Sequence, residues 1–333
     1  PLPKNLSSHI RKINLTENDR EVIQQFAEAH LEILENGEDV ESQQRARRKL
    51  TGDLIGPSGK RATPIFRDAY AEVLLPRLKP IMAGDDVPTS IAAAQIMGAL
   101  ETDAALSALA AHLSSRNEPR AAVRLWAAAS MKPLITSPNV SSDRAMWGVN
   151  ALAEAASEEP SWAAMRRQMD AISVAVTNDR PADEGRDALS RKGCDAQAQA
   201  LQAAINRFAN GDVEAIRVIE PHMMHIQQQF LDQNDAALLG MLSQRTAPVL
   251  GGMYEAVLAQ WPAITADQMQ QQLAGSALDQ AEVMIVLMDN HLTGSSNQAA
   301  PQYKASLKSG DQAPIKAGKD RWGSLANRPS YGG

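Results

Sequence analysis

From Thr16 onward the apolar positions Val22, Ile23, Phe26, Ala29, His30 and Ile33 return at intervals of three and four, while Glu21, Glu28, Glu32 and Glu35 fall largely outside that face. The spacing predicts an amphipathic helix, and Asn36-Gly37 supplies its stop. A second helix is expected over about Val40–Leu54, ending in a Gly/Pro-rich loop, and a third over Pro64–Met82, which Pro76 should kink or split. Three alanine-rich helices follow, opening at Pro88, Asp103 and Pro119. Asp143–Ser157 and Trp162–Val176 read as one more pair, joined at Pro160-Ser161. After Pro181 the periodic stretches lengthen: Ala182–Ala209 with a break at Gly193, Val213–Gln233, Ala236–Gln260 and Ala266–Leu292. Their length predicts a bundle. From Thr293 no periodic apolar face remains, and the expectation is an extended arm.

Pro88 and Pro119 open helices 31 residues apart, a period typical of stacked helical repeats. Small alanines let neighbouring helices approach while leucines and valines fill the seam. Glu118-Pro-Arg-Ala-Ala-Val-Arg-Leu-Trp-Ala-Ala-Ala, preceded by Ala104-Ala-Leu-Ser-Ala-Leu-Ala-Ala-His-Leu, resembles the helix pair of the HEAT-repeat family over about residues 85–135. That resemblance implies an α-solenoid offering a curved surface to macromolecules, and it names no partner. The organisation expected is therefore all-α: an N-terminal extended segment over 1–15, HEAT-like repeats over 16–178, a longer-helix bundle over 179–292 and a tail over 293–333.

Composition removes whole classes. With 4% aromatic residues and abundant alanine, an all-β fold is excluded. No run of about 18 apolar residues exists, so no membrane-spanning helix is expected. A single cysteine, Cys194, rules out an intrachain disulfide framework and a cysteine-based zinc site. The chain begins at Pro1 without methionine, which is compatible with a secreted or periplasmic mature chain and leaves the compartment open. Asn5, Asn14 and Asn139 start Asn-x-Ser/Thr triplets, for which coincidence is the simplest account. The net charge of −6 divides unevenly: residues 293–333 carry +4 and the remainder −10.

That basic tail holds Tyr303, Trp322 and Tyr331, three of only nine Trp and Tyr residues. Disordered segments are poor in aromatics. Rings spaced along a polar segment of opposite charge suit an arm that docks into a groove of its own chain or of a neighbour, with Lys319 and Arg321 as charge contacts. The alternative is a plain disordered terminus. Arg45, Arg47, Arg48 and Lys49, with Arg11, Lys12, Lys60, Arg61 and Arg67 nearby in sequence, form a basic cluster. It suits a solvated face or an acidic protein partner better than nucleic acid, because no aromatics interleave it and the body is acidic.

His222 and His225 stand three apart on one predicted helix, the spacing of two metal ligands, but no carboxylate sits at a helpful helical position. Two bundle histidines are the simpler reading. Gly52–Lys60 superficially resembles a phosphate loop, yet Leu54 stands where a Walker glycine is needed and Arg61 where Ser or Thr is needed. Cys194 lacks a histidine companion in sequence. The function expected is a non-enzymatic scaffold or assembly subunit that binds protein partners, including copies of itself, without cofactor. The alternatives are a metal-binding or enzymatic bundle around His222 and His225, and a nucleic-acid-backbone-binding solenoid.

Overall fold

The computed structural model describes residues 6–37, 39–54, 62–178, 180, 184–300 and 302–331, and among these there is no strand. Two compact units are present, one formed by residues 1–152 with 179–185 and the other by 153–178 with 186–333.

In the first unit Thr16 opens α1 (Glu17–Asn36) with a reciprocal capping box. Its hydroxyl receives the Asp19 N–H, and the Asp19 carboxylate receives the Thr16 N–H at 3.0 Å. There follow α2 (Val40–Gly52), α3 (Pro64–Ala83), α4 (Val87–Leu100), α5 (Asp103–Ala110) and α6 (Ala121–Thr136). Asp39, Thr63, Asp86 and Thr102 cap α2 to α5 through their side chains. The alanine-rich seam is real: α4 packs along α6, and a Cβ on Gly98 would come within 2.7 Å of the Ser130 carbonyl. Buried arginines close helix ends here. Arg67 donates to the carbonyls of Ala99 and Leu100 at the end of α4, and Arg180 to that of Ile135 near the end of α6. Positive charge at a helix C-terminus meets both the orphan carbonyls and the macrodipole.

The division between units falls within α7 (Ser142–Glu158). The second unit continues through α8 (Trp162–Ser173), α9 (Glu184–Ala209), α10 (Ile216–Asp232), α11 (Ala236–Gly251), α12 (Met253–Ala259), α13 (Trp261–Ala266) and α14 (Gln268–Thr293). The C-terminal arm adds α15 (Tyr303–Ser309) and α16 (Ala313–Trp322). Helices α10, α11 and α15 pack on α14, and α16 packs on α12.

Several local expectations change. α3 runs unbroken through Pro76 and Pro80, because both prolines lie on its exposed side where the carbonyls they release are hydrated. α9 runs unbroken through Gly193, whose missing side chain admits the backbone of Ala175 and Val176. The stretch 236–260 instead breaks at Gly251-Gly252. Part of the arm is helical rather than extended. Among the described residues no helix is long and apolar enough to cross a membrane.

Candidate functional site

The arm seats on one face of α14. Gly275, Glu282 and Asp289 recur every seven residues along that helix, so they line up over about 21 Å at 1.5 Å per residue. Ala274, Leu278, Ala281 and Ile285 surround them as core. Glu282 is 2% exposed, which is costly for a carboxylate unless donors surround it. Three do. The Tyr254 hydroxyl donates to its Oε2 at 2.6 Å, the Trp322 indole Nε1–H at 2.7 Å and the Tyr303 hydroxyl at 3.2 Å. Hydrogen bonds to a charged acceptor contribute on the order of 1.5–3 kcal/mol each. Arg321 stands 3.6 Å from Oε1 and lays its guanidinium 4.3 Å over the Trp322 ring. Two turns on, Asp289 accepts the Tyr331 hydroxyl at 3.0 Å, with Arg328 at 3.9 Å.

The remaining contacts fix the register. Asp279 accepts the Tyr303 backbone N–H at 2.8 Å, and Lys319 meets Glu255 at 3.2 Å on the surface. A Cβ on Gly275 would come within 2.8 Å of the Lys304 Cα, and one on Gly318 would overlap the Tyr254 ring. Gly251 faces the Trp322 carbonyl just as closely, so the helix break at Gly251-Gly252 lies against the arm. Burial above all, and then the Glu282 carboxylate, hold the Tyr254 phenol far above its ordinary range. Burial likewise pushes Tyr303 up to about 12 and raises Tyr331 beside Asp289. All three phenols therefore keep their protons, and with them their role as donors, throughout the physiological range.

All five arm residues singled out in the sequence, Tyr303, Lys319, Arg321, Trp322 and Tyr331, lie at this seat. Sequence reasoning missed their receptors Glu282, Asp289, Asp279, Glu255 and Tyr254. One signal was available: Glu282 and Asp289 interrupt the apolar face of a long helix at a seven-residue interval.

The other candidates lie elsewhere. On α2, Arg45, Arg48 and Lys49 are exposed and share one face, whereas Arg47 is turned toward Gln95 of α4. Residues 55–61, which include Lys60, Arg61 and most of the loop resembling a phosphate site, lie outside the described residues. His222 is buried with no side-chain hydrogen-bond partner for its ring, and burial, followed by the neighbouring His225, lowers its pKa to about 3. His225 is half exposed, 3.8 Å from Asp170. Helical spacing thus puts the two histidines on one helix but in different environments. Among the described residues no group of three or more His, Cys, Asp or Glu side chains is placed to hold a metal ion. Burial pushes the Cys194 thiol up to about 12, so it is not a thiolate at neutral pH.

No protein-family model matches the chain, and no curated protein matches it. Among solved structures it is similar to an engineered protein, with a TM-score of 0.33 and 16% identity over 93% of this chain and 88% of that one. It is similar to importin beta with the same TM-score and 11% identity over 96% of this chain. This chain spans 45% of the importin beta chain. Neither likeness is strong enough to carry a function. What its own fold and site define is an all-α protein with a docked C-terminal arm.

Proposed function

We propose that this protein is a non-enzymatic scaffold or assembly subunit that binds protein partners, copies of itself among them, and that the C-terminal arm is its joining element. The observation that carries this reading is the composition of the seat. Its anchor points are the Glu282 and Asp289 carboxylates, which receive phenol and indole donors, so any arm that docks here must bring the same donors, whether from its own chain or from a copy. Residues 294–300, which lead into the arm, are largely exposed and have no regular secondary structure. Seven residues span at most about 25 Å when extended, enough for an arm to reach the groove of an adjacent copy and remake the same contacts there. Opposite charge on arm and body favours the encounter.

Native mass spectrometry of the full chain over a concentration series tests this. The expected result is arm-exchanged oligomers whose population grows with concentration and which disappear when residues 293–333 are deleted. A separate peptide covering 295–331 should then bind the shortened chain. A full chain that stays monomeric throughout, with a peptide that does not bind, would sink the proposal.

A further inference from the structure

The first unit carries two surfaces of opposite charge that the arm does not use. On α2 the exposed Arg45, Arg48 and Lys49 have no ion-pair partner among the described residues. They flank a hollow of about 350 Å³ whose base holds Gly52 and Asp53. Asp53 turns inward to accept the Leu6 N–H at 2.7 Å.

The second surface is a groove of about 700 Å³ between α3 and the start of α5. Ala71 and Leu75 form its buried apolar floor, and Asp68, Glu72 and Asp103 its rim. Little positive charge offsets that rim. Arg20 reaches Glu72 at 3.4 Å as an exposed pair, the Asp103 carboxylate accepts from the Ser141 N–H and hydroxyl, and Lys79 also lines the groove. Partial burial, then the nearby Glu72 and Asp103, raise the Asp68 carboxyl above its ordinary value.

The spacings correspond. Arg45 and Lys49 are four residues apart on one helix, as are Asp68 and Glu72 on another, each about 6 Å of rise. A helix laid in the groove can therefore match two charges at once while its aliphatic stems cover Ala71 and Leu75.

We infer that the α3–α5 groove of one copy receives α2 of a second copy. The two faces are different surfaces of one chain, so the contact is heterologous. It leaves a free groove at one end and a free α2 at the other, and it grows head to tail. This inference rests on the reading of the chain as an assembly subunit, but it uses surfaces separate from the arm seat.

The test uses two full-length variants with charges reversed at exposed positions, Arg45→Glu with Arg48→Glu and Asp68→Lys with Glu72→Lys, each first checked for an unchanged melting curve. In sedimentation at about 20 mM salt the wild-type chain should form assemblies that weaken about tenfold or more at about 500 mM. Each variant alone should lose that salt-sensitive association. Mixed and measured within minutes, the two should associate again, because the native groove of the first meets the native α2 of the second and the two reversed faces are also of opposite charge. No complex in the mixture, or wild-type association indifferent to salt, would overturn the inference. So would binding of a duplex oligonucleotide through α2 with no association between the variants. Neither variant touches the arm, so arm-exchanged oligomers should persist in both. Their loss on deleting 293–333 reports on the arm alone.

Discussion

Glu282 and His222 are both buried polar groups on helices of the second unit, and the structure treats them in opposite ways. The Glu282 carboxylate draws donors from α12, α15 and α16 and so ties the arm to the body. The His222 imidazole draws no side-chain partner and is held neutral chiefly by burial. A buried charge needs partners and therefore specifies a geometry, whereas a buried neutral ring is tolerated as bulk. This difference separates the joint from the filler, and it makes the arm seat, rather than the histidine pair, the candidate site.

The comparison breaks most directly at Glu282. Glu282→Ala leaves two phenols and an indole N–H without their acceptor and should cost about 3–5 kcal/mol in denaturant unfolding. A cost below about 1 kcal/mol would mean that Glu282 does not hold the arm.

At His222 the effect appears only in acid. Its ordinary pKa is 6.5 and its folded value about 3, so between these values the unfolded chain binds a proton that the folded chain refuses. Nothing is contributed above pH 6.5. Stability falls as the pH drops from 6.5 toward 3 and flattens below. His222→Leu should remove part of that acid limb while leaving stability at pH 7 nearly unchanged. Melting curves across the window check this, and an acid limb identical to wild type would refute it.

The smallest expected effect lies at the rim of the seat. Lys319 and Glu255 are 42% and 70% exposed, so Lys319→Ala should change stability by less than about 1 kcal/mol and respond to salt. A larger loss would place the joint's strength in surface charge rather than in the buried donors.

Some of this was legible in advance. Tyr303, Trp322 and Tyr331 drew notice because rings are rare in this chain and should be rarer in a polar tail. Their receptors did not, since a glutamate or aspartate within a helix reads by default as a solvent-facing residue. Gly251 passed unnoticed for a related reason. One glycine in a long periodic run marks a break only when something packs against it, and the Trp322 carbonyl comes from 71 residues further along. At Pro76 the helix continues rather than splitting, because exposure, invisible in the sequence, decides whether the released carbonyl is satisfied.

The sequence by itself determined the all-α class, most helix positions and caps, and the charge contrast between body and tail, because helical period and capping depend on residues within a few positions of each other. Tertiary structure alone decided that two acidic positions on α14 are buried, that α3 stays whole while 236–260 breaks, and that the tail folds into helices against the body. Each depends on a partner tens of residues away, and the free energy of a buried polar group is set by the groups that surround it in space.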